Sequence, residues 1–93
     1  MRESALERKV RLAVERIGGK MPKWVSPGNR GVPDRIAILP GGRTVYVEMK
    51  APGKPLDPLQ RKWAKTLTSM GHTHYKIDSE ADIERFIQEV MPK

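Results

Sequence analysis

Leu6, Val10, Ala13, Val14 and Ile17 recur at i, i+4, i+7, i+8 and i+11, with Arg8, Lys9, Arg11 and Arg16 on the other face. That spacing predicts an amphipathic helix over residues 4–17. Ser4 followed by Glu7 has the form of a capping box, and Gly18-Gly19 supplies the stop. Residues 21–25 are short, partly apolar and bounded by Gly19 and Pro27, and predict a first strand with Pro22 near its start. Residues 26–31, Ser-Pro-Gly-Asn-Arg-Gly, are a loop by composition. Residues 34–39 and 44–50 are rich in Ile, Val and Tyr and are separated by Pro40-Gly41-Gly42-Arg43, the pattern of a β-hairpin. After a Pro/Gly loop over 51–56, Asp57 and Pro58 read as the N-cap and first residue of a second helix. Its apolar stripe is Leu59, Trp63, Leu67 and Met70, and Gly71 closes it. Residues 72–77 predict a further strand with Thr73, Tyr75 and Ile77 on one face. Ser79 then caps a last helix with Ile83, Phe86, Ile87 and Val90 as its buried stripe, ended by Pro92. The order α-β-β-β-α-β-α, with hairpin strands followed by a helical crossover, predicts one three-layer α/β domain over 1–93 with a mixed sheet and helices on both faces.

Charge changes the picture. Eighteen Lys and Arg against eleven Asp and Glu leave a formal charge of +7, which favours a polyanion partner, most often nucleic acid. Cysteine is absent, which excludes a disulfide framework or thiolate metal site and suits a reducing cytosol. No apolar run approaches the roughly 20 residues of a membrane span, and no signal-peptide pattern opens the chain.

The hairpin carries the candidate chemistry. Its turn brings the first and last residues together at the open end, so Asp34 meets Glu48. Lys50 lies two residues on, hence on the same face as Glu48. Two carboxylates and an ammonium at one strand end suit a hard cation such as Mg²⁺, which binds through one or two carboxylates plus substrate phosphate. Glu48 stands in an otherwise apolar strand, where a charge costs several kcal/mol unless it is paired or bound to metal. The competing reading is an ion pair of Lys50 with Glu48 or Asp34 inside a DNA-binding module without turnover. His72 and His74 read as structural or surface residues, and Trp24 as core. Arg30, Arg35, Lys54, Arg61 and Lys62 lie near the motif as phosphate contacts, and Gly31 lets backbone approach a phosphate closely.

Gly31-Val32-Pro33-Asp34, followed fourteen residues after the aspartate by Glu48-Met49-Lys50, resembles the signature of the PD-(D/E)XK nuclease superfamily. In the form Gly-Val-Pro-Asp and Val-Glu-Met-Lys it is similar to the VRR-NUC family, in particular its small stand-alone phage and prophage members. The resemblance implies a restriction-endonuclease-like α-β-β-β-α-β core with an extra C-terminal helix, and a metal-dependent, structure-specific endonuclease. It implies Mg²⁺ or Mn²⁺ held by Asp34, Glu48 and the Met49 carbonyl, with Lys50 positioning or deprotonating the attacking water. It implies a first-helix glutamate, for which Glu7 matches best and Glu3 is the alternative. Gln60 resembles the glutamine that related nucleases carry on the following helix, although Asp57-x-x-Gln60 also fits a capping box. As a stand-alone member, the chain is expected to be a homodimer cutting four-way DNA junctions in the cytosol of a bacterial host, with Phe86 and Val90 of the last helix available to a partner. Flap or restriction-type cleavage are the alternatives.

Overall fold

A computed structural model describes residues 2–92. Its elements are α1 (Glu3–Arg16), β1 (Arg35–Leu39), β2 (Arg43–Met49), α2 (Pro58–Ser69), β3 (His74–Ile77) and α3 (Glu80–Val90). The sheet order is β1-β2-β3, with β1 antiparallel and β3 parallel to β2. The hairpin turns through Gly41 and Gly42, at φ 82° and 74°, a left-handed pair that side chains resist.

Alternation along β2 divides the molecule. Val45, Val47 and Met49 face α1 and α3, where Leu6, Val10, Val14, Ile83, Phe86 and Val90 complete a buried core with Ala37, Leu39 and Ile77. Tyr46 and Glu48 face the other way, toward α2. There Tyr46 packs on Trp24 at 5.3 Å between ring centroids, and Trp24 on Trp63 of α2 at 6.3 Å. The three-layer arrangement is therefore as expected.

Three expectations fail: a strand, a cap and a partner face. The strand expected over 21–25 does not form, so the sheet has three strands and the order is α-β-β-α-β-α. The segment does run antiparallel beside β1. Lys20 and Ile38 exchange both backbone hydrogen bonds, Ile36 donates to Pro22 and Trp24 to Asp34. Pro22 has no N–H to return, so the ladder is broken into isolated bridges at Lys20 and Lys23. The Ser4–Glu7 capping box is also absent. The helix starts at Glu3 with Arg2 at the N-cap and no side-chain cap, which puts Ser4 inside the first turn and leaves Glu7 free for another partner. The apolar stripe of α2 forms as the spacing predicts but is only partly covered: Leu67 is buried and Trp63 half-buried, while Leu59 and Met70 are 46% and 60% exposed. Finally, Phe86 and Val90 are buried in their own core, at 0% and 2% exposure, so they offer nothing to a partner.

The caps of α2 and α3 form as expected. Asp57 and Gln60 make a reciprocal capping box, and Ser79 accepts from the Asp82 N–H.

Candidate functional site

The β1–β2 register explains why the two motif acids converge. Arg35 pairs with Val47, so one step further toward the open end sets Asp34 opposite Glu48, and opposed residues share a face. Asp34 lies just before β1 and accepts a hydrogen bond from the Met49 N–H at 3.2 Å, which pins its carboxylate across the strand end. Glu48 is 5% exposed, a buried acid in a mostly apolar strand.

Burial and proximity leave both acids poorly stabilised as anions. Desolvation raises the Asp34 pKa, opposed by the Met49 N–H and by the charge of Arg35. Desolvation pushes Glu48 up to about 7, and the negative charge of Asp34 adds to it, while Lys50 pulls it down. Among the described residues neither acid has an ion-pair partner. Lys50 thus acts on Glu48 through its field, without the direct pair that a purely structural reading requires. Its own backbone N–H is held by the Ile77 carbonyl at 2.9 Å, fixing the chain where β2 ends.

Gln60 makes the expected cap and also touches the motif acid. Its Oε1 accepts from the Asp57 N–H at 2.9 Å, while its Nε2 donates to Glu48 Oε2 at 3.4 Å. The cap holds the amide on the Glu48 carboxylate, so helix start and site are built together.

On the α1 side, Arg35 projects oppositely to Asp34. Its guanidinium lies 3.0 Å from Glu7 Oε1 and donates to the Met21 carbonyl at 3.2 Å. Glu7 Oε1 is buried and, despite the ion pair, makes no well-aligned hydrogen bond, so it keeps lone pairs to offer. Glu3, Ser4, Glu7, Lys23, Asp34 and Arg35 line a cleft of about 330 Å³ that Asp34 shares with the two first-helix acids. Glu3 is the one of the two whose charge raises the Asp34 pKa. Among the described residues no three His, Cys, Asp or Glu side chains cluster closely enough to hold a metal, so the structure joins Asp34 to Glu48 and leaves Glu7 with Arg35.

The basic residues divide by what they touch. Arg35 is occupied as described, and Arg61 donates to the Leu56 carbonyl at 2.7 Å. Arg30, Lys54 and Lys62 are exposed. Gly31, at φ 90°, abuts α2 so closely that a Cβ would fall 2.6 Å from the Leu59 carbonyl carbon, which gives it a packing role. His72 stacks edge-on against Tyr46 at 5.6 Å, and burial lowers the His74 pKa. One neighbour escaped the sequence reading. Lys76 pairs with Glu48 across the β2–β3 register, but Asp78 holds its ammonium at 3.0 Å. No periodicity signals that placement, because a parallel register is set by the crossover helix.

Residues 1–81 match the model of the VRR-NUC domain. The chain is 42% identical over 80 residues to "Putative nuclease p44" of Acyrthosiphon pisum secondary endosymbiont phage 1, covering 86% of each protein. It also superposes on a solved structure described as a VRR_NUC domain with a TM-score of 0.87 and 25% identity, covering 92% of this chain and 94% of that one.

Proposed function

Since the chain belongs to the VRR-NUC family, a PD-(D/E)XK nuclease family, we propose that it is a Mg²⁺- or Mn²⁺-dependent DNA endonuclease that acts on branched DNA, with the four-way junction as its preferred substrate. The observation that carries this reading is the pair Asp34 and Glu48: two opposed, desolvated carboxylates without a cation partner among the described residues, next to Lys50. The donor set fits a hard divalent ion, since burial leaves both carboxylates poorly solvated as anions and a bound cation offsets that cost. Asp34 and Glu48 would hold it, with the Met49 carbonyl as a further oxygen.

When bound, the ion lowers the pKa of water and offsets charge on the phosphoryl oxygens. The chain's own groups do the rest. The Met49 N–H and the Gln60 amide orient the two carboxylates. Lys50 presents its ammonium on the Glu48 side of the strand end, where it orients the attacking water, assists its deprotonation and stabilises the developing charge on phosphate. Glu3 and Glu7 form the acidic wall of the adjoining cleft. Exposed Arg30, Lys54 and Lys62 contact phosphates, and the net charge of +7 makes binding fall steeply with salt.

A four-way junction presents two symmetric strands, and a two-fold homodimer supplies two matching sites. The test is incubation of labelled four-way junction, flap and linear duplex with Mg²⁺ or chelator, alongside light scattering. Paired symmetric nicks on the junction, absent in chelator, from a particle of twice 10.6 kDa are expected. Binding without fragments in any metal would instead make the chain a DNA-binding module. A monomer, or junction cleavage no faster than duplex cleavage, would remove the junction and dimer while leaving the nuclease.

A further inference from the structure

One turn along α2 from the Gln60–Glu48 contact, a groove of about 550 Å³ opens between that helix and the loop preceding β1. Its volume falls in the roughly 300–1,000 Å³ range of small-ligand sites. Arg30 and Lys62 bring two exposed cations, Trp63 an aromatic wall, and Asn29 a side-chain amide. Among the described residues no acidic side chain lines it. Gly31, pressed on the Leu59 backbone, fixes the loop against the helix, so the walls are set before any ligand arrives. At Gly28 the backbone adjoins open space, with nothing within 4 Å of where a Cβ would stand.

We infer that this groove is a subsite for one nucleotide unstacked from the DNA substrate at its branch point, its base against Trp63 and its phosphate between Arg30 and Lys62. The inference rests on the substrate class proposed above and deepens it. Charge selects the occupant, because two cations without a carboxylate favour an anion. The aromatic wall selects a flat one, since stacking on an aromatic side chain is how single-stranded bases are held without sequence preference. Position selects a nucleotide next to the cleaved bond: Trp63 follows Gln60 by three residues, about 4.5 Å along a helix axis. Bases inside a continuous duplex are stacked on both sides and costly to present to Trp63. At a branch point or a bulge the stack is interrupted and a base costs least to unstack, which gives the site a physical reason to prefer branched DNA.

The test is fluorescence anisotropy in chelator, with three labelled duplexes: fully paired, with one central extrahelical base, and with the same bulge made abasic. The wild-type chain is expected to bind the base-bearing bulge about 10-fold more tightly than either of the others. Trp63→Leu, checked by circular dichroism, removes that preference. Arg30→Ala with Lys62→Ala weakens binding to all three and flattens the salt dependence. Equal affinity of the wild-type chain for base-bearing and abasic bulges overturns the inference, and this arm stands even if Trp63→Leu fails to fold. Cleavage is not read, so the two proposals fail separately: a chain that shows base preference but never cuts loses only the nuclease reading, and a nuclease without base preference loses only the subsite.

Discussion

The two faces of the sheet solve different problems with the same three strands. On the α1/α3 face, the inward residues of β2 are Val45, Val47 and Met49, and nearly everything they touch is apolar and fully buried. On the α2 face, the alternate residues are Tyr46 and Glu48, covered by a helix whose stripe leaves Leu59 and Met70 exposed. The first face supplies stability through dry packing. The second trades packing for a buried acid, an amide aimed at it and an open groove. A single strand carries both because its side chains alternate, so the rigid core lies one peptide away from the site it supports.

Truncation separates the two faces most strongly. Phe86→Ala, at a fully buried position, is expected to cost about 3–5 kcal/mol in chemical denaturation. Leu59→Ala and Met70→Ala are expected to stay within about 0.5 kcal/mol. If α2 substitutions cost as much as Phe86→Ala, the contrast between the faces fails.

Titration sharpens it from the other side. The Glu48 pKa is about 7 in the folded chain against an ordinary 4.5, so the folded state holds an extra proton between those values. The stability this contributes is fully present below pH 4.5 and is lost as pH rises through about 7. In chelator, Glu48→Gln should therefore be stabilising at pH 8 by up to about 3 kcal/mol, and nearly neutral at pH 4.5. A pH-independent difference in melting temperature would show that Glu48 carries no such strain. The smallest effect concerns the uncapped start of α1. Arg2→Asp supplies the missing N-cap acceptor and a favourable charge, and should add about 0.5–1 kcal/mol without altering the Glu48 titration.

The site was legible where local pattern and chemistry coincide. The period-two hairpin with its Gly-Gly turn is enough to oppose Asp34 and Glu48, and a glutamate in an apolar strand announces itself. The Gln60 cap was legible because capping depends only on neighbours in sequence. What escaped depends on distant geometry. The bridges at Lys20 and Lys23 form only because β1 lies alongside, and Pro22 keeps them from becoming a strand. The pairing of Glu7 with Arg35, the influence of Glu3 on Asp34 and the placement of Lys76 beside Glu48 all require tertiary contacts or a parallel register. The apolar stripe on α2 was legible but its partial exposure was not, since periodicity reports which residues share a face and not whether that face is covered.

The most direct test of the central claim is single-turnover cleavage of a labelled four-way junction across a Mg²⁺ titration, with binding affinity measured in parallel, for wild type, Asp34→Asn and Glu48→Gln. Both variants keep the size of the side chain and remove one carboxylate charge. The expected result is a loss of at least about 10³-fold in the cleavage rate, with junction affinity equal or tighter, because negative charge facing phosphate is gone. Cleavage by Glu48→Gln at the wild-type rate and with the wild-type Mg²⁺ dependence would contradict the assignment of the Asp34–Glu48 pair as the metal-holding centre.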